Sequence, residues 1–330
     1  MTCMAKISYL GERKVIEKII SNLEKPLKME IPFGDDVAAV SLNRDTLAVL
    51  KTDMFVGETD IPPGMTLRQA ARKAVVMTIS DFAAKGVKPR AVLTSLGLPR
   101  NMTEMDIEAI SRGLNDGVRE YDTYLVGGDT GESSYFIVCC MVFGTSNAKR
   151  LITRSGARPG DILAVTGPFG KTAAGLKILL KGFEVSEEDK TILDAVYMPK
   201  ARLSEGLALS RTGMASASID SSDGLAVSLH ELRKMSHVGF ALREVPVSPE
   251  VVKFADRNGL DSVELALYGG EEYELVLTIK PKGWDKAQQA LHKVGGDLIA
   301  IGHATRNQDI VLRIGDTKKE IPYRGWEHFR

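Results

Sequence analysis

The chain has 330 residues, 44% hydrophobic, 26% charged and 6% aromatic, so it can bury a sizeable core and is neither disordered nor of low complexity. Lysine plus arginine (43) balances aspartate plus glutamate (43), which removes the net positive field that nucleic-acid binders usually carry. No stretch reaches the roughly 18 apolar residues of a membrane span, and Met1 to Arg13 lacks the apolar core of a signal peptide. The three cysteines are Cys3 and the adjacent pair Cys139 and Cys140, which lie in a strand-like run from Phe136 to Phe143 where neighbours point to opposite faces. They fit neither a disulfide framework nor a zinc site. A reduced, cytoplasmic protein that engages neither nucleic acid nor membrane is expected.

At about 100 to 200 residues per domain, two domains are expected. The first half mixes short β-branched strands with one long helix, and a turn-rich stretch, Ser155 to Asp161, follows its end. The boundary is placed near Lys149, dividing the chain into 1–148 and 149–330. Beyond it, strand-like runs (Ile162 to Val165, Glu274 to Ile279, Leu298 to Ile301) alternate with amphipathic helices (Leu225 to Met235, Trp284 to Val294), the pattern of an α/β domain. Early in the chain, Asp36 to Val40 and Leu47 to Asp53 flank the polar Asn43-Arg44-Asp45-Thr46 and read as a hairpin. If Arg44 faces Asp45, then Asp36 faces Asp53, and two like charges meet at the open end unless a positive group lies between them.

Acidic residues recur in glycine-rich turns: Gly34-Asp35-Asp36, Thr52-Asp53, Ser80-Asp81, Gly127-Gly128-Asp129-Thr130, Asp220-Ser221-Ser222-Asp223-Gly224 and Gly269-Gly270-Glu271-Glu272-Tyr273. Glycine lets a backbone approach a ligand closely, and short carboxylates are the hard oxygen ligands that magnesium prefers, with phosphate oxygens completing its shell. Each motif alone is an ordinary turn; their joint recurrence points to magnesium and phosphate. Asp81 follows Ala70, Ala71, Ala74, Val75 and Ile79 in a closely packing helix, where an ionised group needs a partner, and the local candidate is Lys85 at i+4. Asp35 and Asp45 read as ordinary turn residues. Ser222 or Asp223 is placed to cap the helix that starts at Leu225, or its amides to hold a phosphate.

Two motifs mislead. Gly167 to Thr172 is two residues short of a phosphate-binding P-loop and reads as a tight helix entry with Lys171 solvated, and Asp81-Phe82-Ala83 lacks the companion motifs of a protein kinase. The five histidines show no metal-ligand spacing and read as surface or cap residues.

Taken in order, these motifs, with Thr153-Arg154-Ser155-Gly156 and the terminal Tyr323-Arg324-Gly325-Trp326-Glu327-His328-Phe329, resemble the thiamine-monophosphate kinase family over nearly the whole chain. Single motifs also occur across the wider aminoimidazole-ribonucleotide-synthetase-like superfamily. The resemblance implies a two-domain α/β (α+β) fold of that superfamily, whose amino-terminal domains form a barrel across a homodimer. It implies transfer of the γ-phosphoryl group of ATP to thiamine monophosphate on several Mg2+ ions. By position, Asp36, Thr52, Asp53, Asp81, Asp129, Asp220 and Asp223 match the family's metal ligands. Gly128, Asp129, Arg154 and Ser222 match nucleotide contacts, and Glu271 and Trp326 match positions around the thiamine moiety. In two places the chain departs from the pattern: Lys51 stands where many members have a serine among the metal ligands, and Asp60 where many have a substrate-contacting histidine. The acceptor is itself a phosphate anion, so a direct in-line transfer without a strong general base is expected. The rival readings are another ATP-using enzyme of the superfamily, such as a ribonucleotide cyclo-ligase or a carbamoyl dehydratase, and a non-catalytic nucleotide-binding scaffold.

Overall fold

The computed structural model describes residues 7–24 and 29–329; Cys3 lies outside them, as do the first six residues in all. The first sheet holds β1 (Ala38–Ser41), β2 (Thr46–Val56), β3 (Pro89–Leu98), β4 (Leu125–Glu132) and β5 (Ile137–Asn147) in the order β1-β2-β5-β3-β4. All neighbours are antiparallel except β3 and β4. The second sheet holds β6 (Ile162–Val165), β7 (Ala215–Asp220), β8 (Gly239–Leu242), β9 (Leu275–Ile279), β10 (Ile299–Thr305), β11 (Ile310–Ile314) and β12 (Thr317–Glu320), in the order β12-β11-β8-β10-β6-β9-β7. The fold is mixed α/β, as expected, with its strands divided between two sheets.

Alternation along β2 and β5 sorts the first sheet into two faces. Val49, Phe55, Val138, Cys140 and Val142 are buried on the inner face, whereas Met54, Cys139, Met141 and Phe143 look outward, with Met54 60% exposed. The adjacent cysteines thus point to opposite faces, as expected, and Cys140 is buried.

The inner face is covered by the helix Leu67–Lys85, opened by a capping box in which Thr66 and Gln69 satisfy each other's backbone N–H groups. Small side chains (Ala70, Ala71, Ala74, Ala83, Ala84) let the sheet and the helices Glu104–Glu120 and Leu203–Thr212 approach it closely, and it also touches β7 of the second sheet. The first half therefore holds more than the one long helix expected: Ile7–Ser21 precedes it and Glu104–Glu120 packs on it. Gly113 and Gly117 weaken the signal of Glu104–Glu120 in the sequence, because glycine is a poor helix former. Both sit where that helix crosses Leu67–Lys85: a Cβ on Gly113 would lie 2.1 Å from the carbonyl oxygen of Arg68.

The hairpin forms, but one residue out of the expected register, pairing Ala38 with Leu50 and Ser41 with Leu47. The Asn43 side chain accepts from the backbone N–H of both Asp45 and Thr46, centring the turn on Arg44. A one-residue slip exchanges the faces of a strand. Asp36 precedes the first paired residue and does not face Asp53.

Candidate active site

Three carboxylates from distant parts of the chain converge: Asp36 just before β1, Asp81 in the last turns of Leu67–Lys85, and Asp220 at the end of β7. All three are buried, and one oxygen of each lies within 4.8 Å of the others. Ser80 donates to Asp220 Oδ2 at 2.6 Å.

Lysines and an arginine reach this cluster. Lys51, on the inner face of β2 with Asp53, sets its ammonium 3.1 Å from Asp53 Oδ1 and 3.0 Å from Asp81 Oδ2. Lys85, with no exposed side-chain surface, lies 2.8 Å from Asp35 Oδ1 and 2.6 Å from Asp36 Oδ2, and donates to the carbonyl of Ser218 at 2.7 Å. Arg154 grips Asp36 through Nε at 2.7 Å and through Nη2, and its Nη1 donates to the Gly34 carbonyl at 2.9 Å. Two expectations are corrected here, and one placement is new. Asp81 pairs with Lys51 rather than with Lys85, because the lysine one turn on faces the other sheet's side of the cluster. Asp35 is a buried ion-pair member rather than an ordinary turn residue, accepting also from the Arg154 backbone N–H at 2.9 Å. Lys51 places its ammonium inside the site, a role its neighbours in sequence do not announce.

The electrostatics follow from these contacts. Burial opposes ionisation of Asp36, but the charges of Arg154 and Lys85 outweigh it and hold its carboxyl below the ordinary range. Burial, with the like charges of Asp53, Asp220 and Asp36, drives Asp81 well above that range despite Lys51. Asp220 is pushed up to about 6 by burial and by Asp36, and Asp223 to about 6 by burial and by Glu12. Burial also opposes the charge on Lys51, yet the carboxylates of Asp81 and Asp53 raise its pKa above the usual lysine value.

Beside the cluster, Gly269 to Tyr273 forms a second feature. Glu271 (φ 63°) and Tyr273 (φ 53°) adopt left-handed backbone that non-glycine residues avoid, held by Glu271 N–H to the Ser222 carbonyl (2.6 Å) and Tyr273 N–H to that of Ser221 (3.0 Å). Glu271 Oε1 lies 2.6 Å from the ammonium of Lys73, which is 2% exposed and on the same helix as Asp81. Lys73 carried no signal in the sequence reading beyond its place in that helix. Trp326 is 56% exposed, but its backbone N–H donates to the Asp223 carbonyl at 3.1 Å and its Cβ lies 3.6 Å from where a Cβ on Gly270 would stand.

Other expected residues stand apart from the carboxylate triad. Thr52 looks outward, its hydroxyl 3.3 Å from Cys139 Sγ. Gly128 and Asp129 lie on the exposed edge strand β4, and Gly128 has a packing reason of its own, since a Cβ there would lie 2.0 Å from the Thr94 carbonyl. Ser222 is exposed, and Asp60 accepts the Val56 backbone N–H at 2.8 Å. Neither Ser222 nor Asp223 caps the helix Leu225–Ser236; Gly224 does so without a side chain. At the P-loop look-alike, Glu272 Oε1 accepts from the backbone N–H of Gly170 (2.7 Å) and Thr172 (3.1 Å), so a carboxylate of the chain fills that anion site. His230 is buried, its Nε2 2.9 Å from the Ile321 carbonyl, a correction to the expectation of surface or cap roles; His237 does cap a helix.

The donor set is all oxygen. Asp53 Oδ2 is also buried without a hydrogen-bond partner. Together these suit a hard divalent cation.

Two sheets flanked by helices, with a buried carboxylate cluster between them, define a protein related to AIR synthase. Residues 34–146 match the family described as AIR synthase related protein, N-terminal domain, and residues 158–315 its C-terminal domain. Within that class, the chain belongs to the thiamine-monophosphate kinase family. It is 37% identical over 300 residues to the thiamine-monophosphate kinase of Pyrococcus horikoshii, covering 90% of this chain and 91% of that one. It is 30% identical over 329 residues to that of Escherichia coli, covering 97% and 98%. The solved structure "AaThiL complexed with AMPPCP and TMP" superposes with a TM-score of 0.85 at 26% identity, over 99% of this chain and 100% of that one. Hydrogenase maturation protein HypE in complex with ATP, at 18% identity and a TM-score of 0.68 over 95% and 96% of the chains, shares the fold alone.

Proposed function

We propose that this protein transfers the γ-phosphoryl group of ATP to thiamine monophosphate, giving thiamine diphosphate and ADP, the last step of thiamine diphosphate biosynthesis, in the cytoplasm. The observation that carries this reading is the buried Asp36, Asp81 and Asp220 cluster in a chain of the thiamine-monophosphate kinase family. These carboxylates would hold several Mg2+ ions, which would supply neutralisation of phosphate charge. Asp36, Asp53, Asp81 and Asp220 would hold them, with Asp129 and Asp223 as further carboxylates, Thr52 as a further ligand and Lys51 contributing only through its backbone carbonyl. Arg154, Gly128, Asp129 and Ser222 contact the nucleotide, the guanidinium steadying phosphate charge. Among the described residues, neither a histidine nor a cysteine belongs to the cluster, which suits an acceptor that is already an anion and a transfer without a phosphorylated enzyme.

Glu271, Trp326 and Asp60 face the thiamine moiety. Glu271 borders a cavity of about 540 Å³ that also reaches Lys171, Arg202 and Glu272. A carboxylate and an exposed indole suit a cationic thiazolium, through charge and through the aromatic face respectively. The active form is a homodimer: the outward face of the first sheet carries Met54 and Leu93, and its edge strand β4 is exposed along its whole length, an apolar face and an open edge that a second copy covers. The chain divides into the domains 1–148 and 149–330.

The test is to incubate the purified protein with ATP and Mg2+ and to offer thiamine monophosphate, thiamine and aminoimidazole-pathway intermediates separately. Thiamine diphosphate formed only from the monophosphate is the expected outcome. ATP binding with no thiamine diphosphate from any acceptor would overturn the substrate assignment.

A further inference from the structure

Lys51 and Asp53 are two residues apart on β2 and share its inner face, so the ammonium and one carboxylate are delivered together, while Asp81 arrives from the helix Leu67–Lys85. The ammonium stands 3.1 Å from Asp53 Oδ1 and 3.0 Å from Asp81 Oδ2, at the point from which a cation joins the two carboxylates. Charge leads to the same place. The carboxylates of Asp35, Asp36, Asp53, Asp81 and Asp220, set against Lys51, Lys85 and Arg154, leave a formal −2, so the site still calls for cations beyond these three. Without Lys51 the deficit is one charge larger and falls between Asp53 and Asp81, where Asp53 Oδ2 is already buried without a hydrogen-bond partner.

We propose that Lys51 is a tethered cation occupying one of the cation positions of the phosphate site, so that this chain binds one divalent ion fewer than its carboxylates alone would take. The proposal rests on the metal-dependent phosphoryl-transfer reading above. Lys51 is a positioning residue: it holds Asp53 and Asp81 together at any magnesium concentration. Of the three ammonium donors two go to the carboxylates, leaving capacity for a phosphate oxygen of a bound nucleotide. Unlike Mg2+, an ammonium on a flexible stem is neither lost on dilution nor required to shed a tightly held water shell.

The experiment counts ions rather than turnover. Mn2+ is titrated into the full-length protein with a non-hydrolysable ATP analogue at saturation, and free Mn2+ is read by electron paramagnetic resonance. Wild type is compared with Lys51→Ala, Lys51→Gln and Lys51→Arg, with folding checked by circular dichroism. The two neutral variants are expected to bind one more Mn2+ per chain than wild type, and Lys51→Arg the same number as wild type. Equal counts in wild type and both neutral variants overturn the proposal, as does loss of fold in both neutral variants while Lys51→Arg folds. Absence of Mn2+ binding in every protein overturns the metal reading itself, an outcome distinct from equal, non-zero counts.

Discussion

Lys85 carries its ammonium into the interior with Asp35 and Asp36 around it, and none of the three side chains keeps exposed surface. A buried charge stripped of its partner is far costlier than the pair itself is stabilising. Lys85→Met is therefore expected to lower stability by about 3–5 kcal/mol, read as a lower midpoint in a denaturant titration; an unchanged midpoint contradicts the ion-pair geometry. Asp220 and Asp223 make the site pH-sensitive. Both titrate near about 6 in the fold, against about 3.9 in an unfolded chain. The metal-free fold thus binds more protons than the unfolded chain between those values, and these two groups lower its stability as pH rises from about 4 to about 6, with no further change above. If Mg2+ is held by these carboxylates as proposed, its half-saturating concentration in a calorimetric titration should rise as pH falls from 7 to 5, by up to about tenfold per pH unit for each proton displaced. These residues were legible as acidic motifs, but their partners were not. Helix spacing offered Lys85 to Asp81, whereas the packing of a strand on that helix supplied Lys51.

The helix Leu67–Lys85 organises the site: from one element it presents Lys73 to Glu271, Ser80 to Asp220, Asp81 to Lys51, and Lys85 to Asp35 and Asp36. Its place is set by close approach to Glu104–Glu120, where Gly113 sits against the backbone of Arg68. Alanine at Gly113 raises helix propensity by about 1 kcal/mol, but its Cβ would stand 2.1 Å from a carbonyl oxygen that cannot swing aside. The steric cost exceeds the gain, so Gly113→Ala should reduce stability by about 1–3 kcal/mol on thermal or chemical unfolding, with activity falling as the helix shifts. An increase in stability would show that the crossing is loose. Element types were largely readable from apolar periodicity, as Ile162–Val165 and Leu225–Ser236 illustrate. The register of the first hairpin was not, because a single side-chain acceptor, Asn43, decides where the turn is centred.

In the whole molecule, the carboxylate cluster draws on both sheets, while the opposite face of the first sheet carries exposed apolar side chains such as Met54 and Leu93. Met54→Asp places a charge at the centre of that outer face, and Thr52 and Cys139 beside it face the same way. If the homodimer proposed above forms through that face, the variant is expected to run as a monomer in sedimentation velocity with its circular dichroism unchanged; a variant that stays dimeric would move the interface elsewhere. Along the chain, the residues already announce the chemistry on offer: carboxylates in glycine-bearing turns, in an order characteristic of one family, with strands and helices marked by periods of two and 3.6 residues. Those features are local, and a local pattern survives in one dimension. Tertiary structure alone decided which charges meet, placing Lys51, Lys73, Lys85 and Arg154 among carboxylates from remote segments. Burial is the reason. A charge withdrawn from water must find a counter-charge, and which one it finds depends on how strand, helix and loop pack, not on their spacing along the chain.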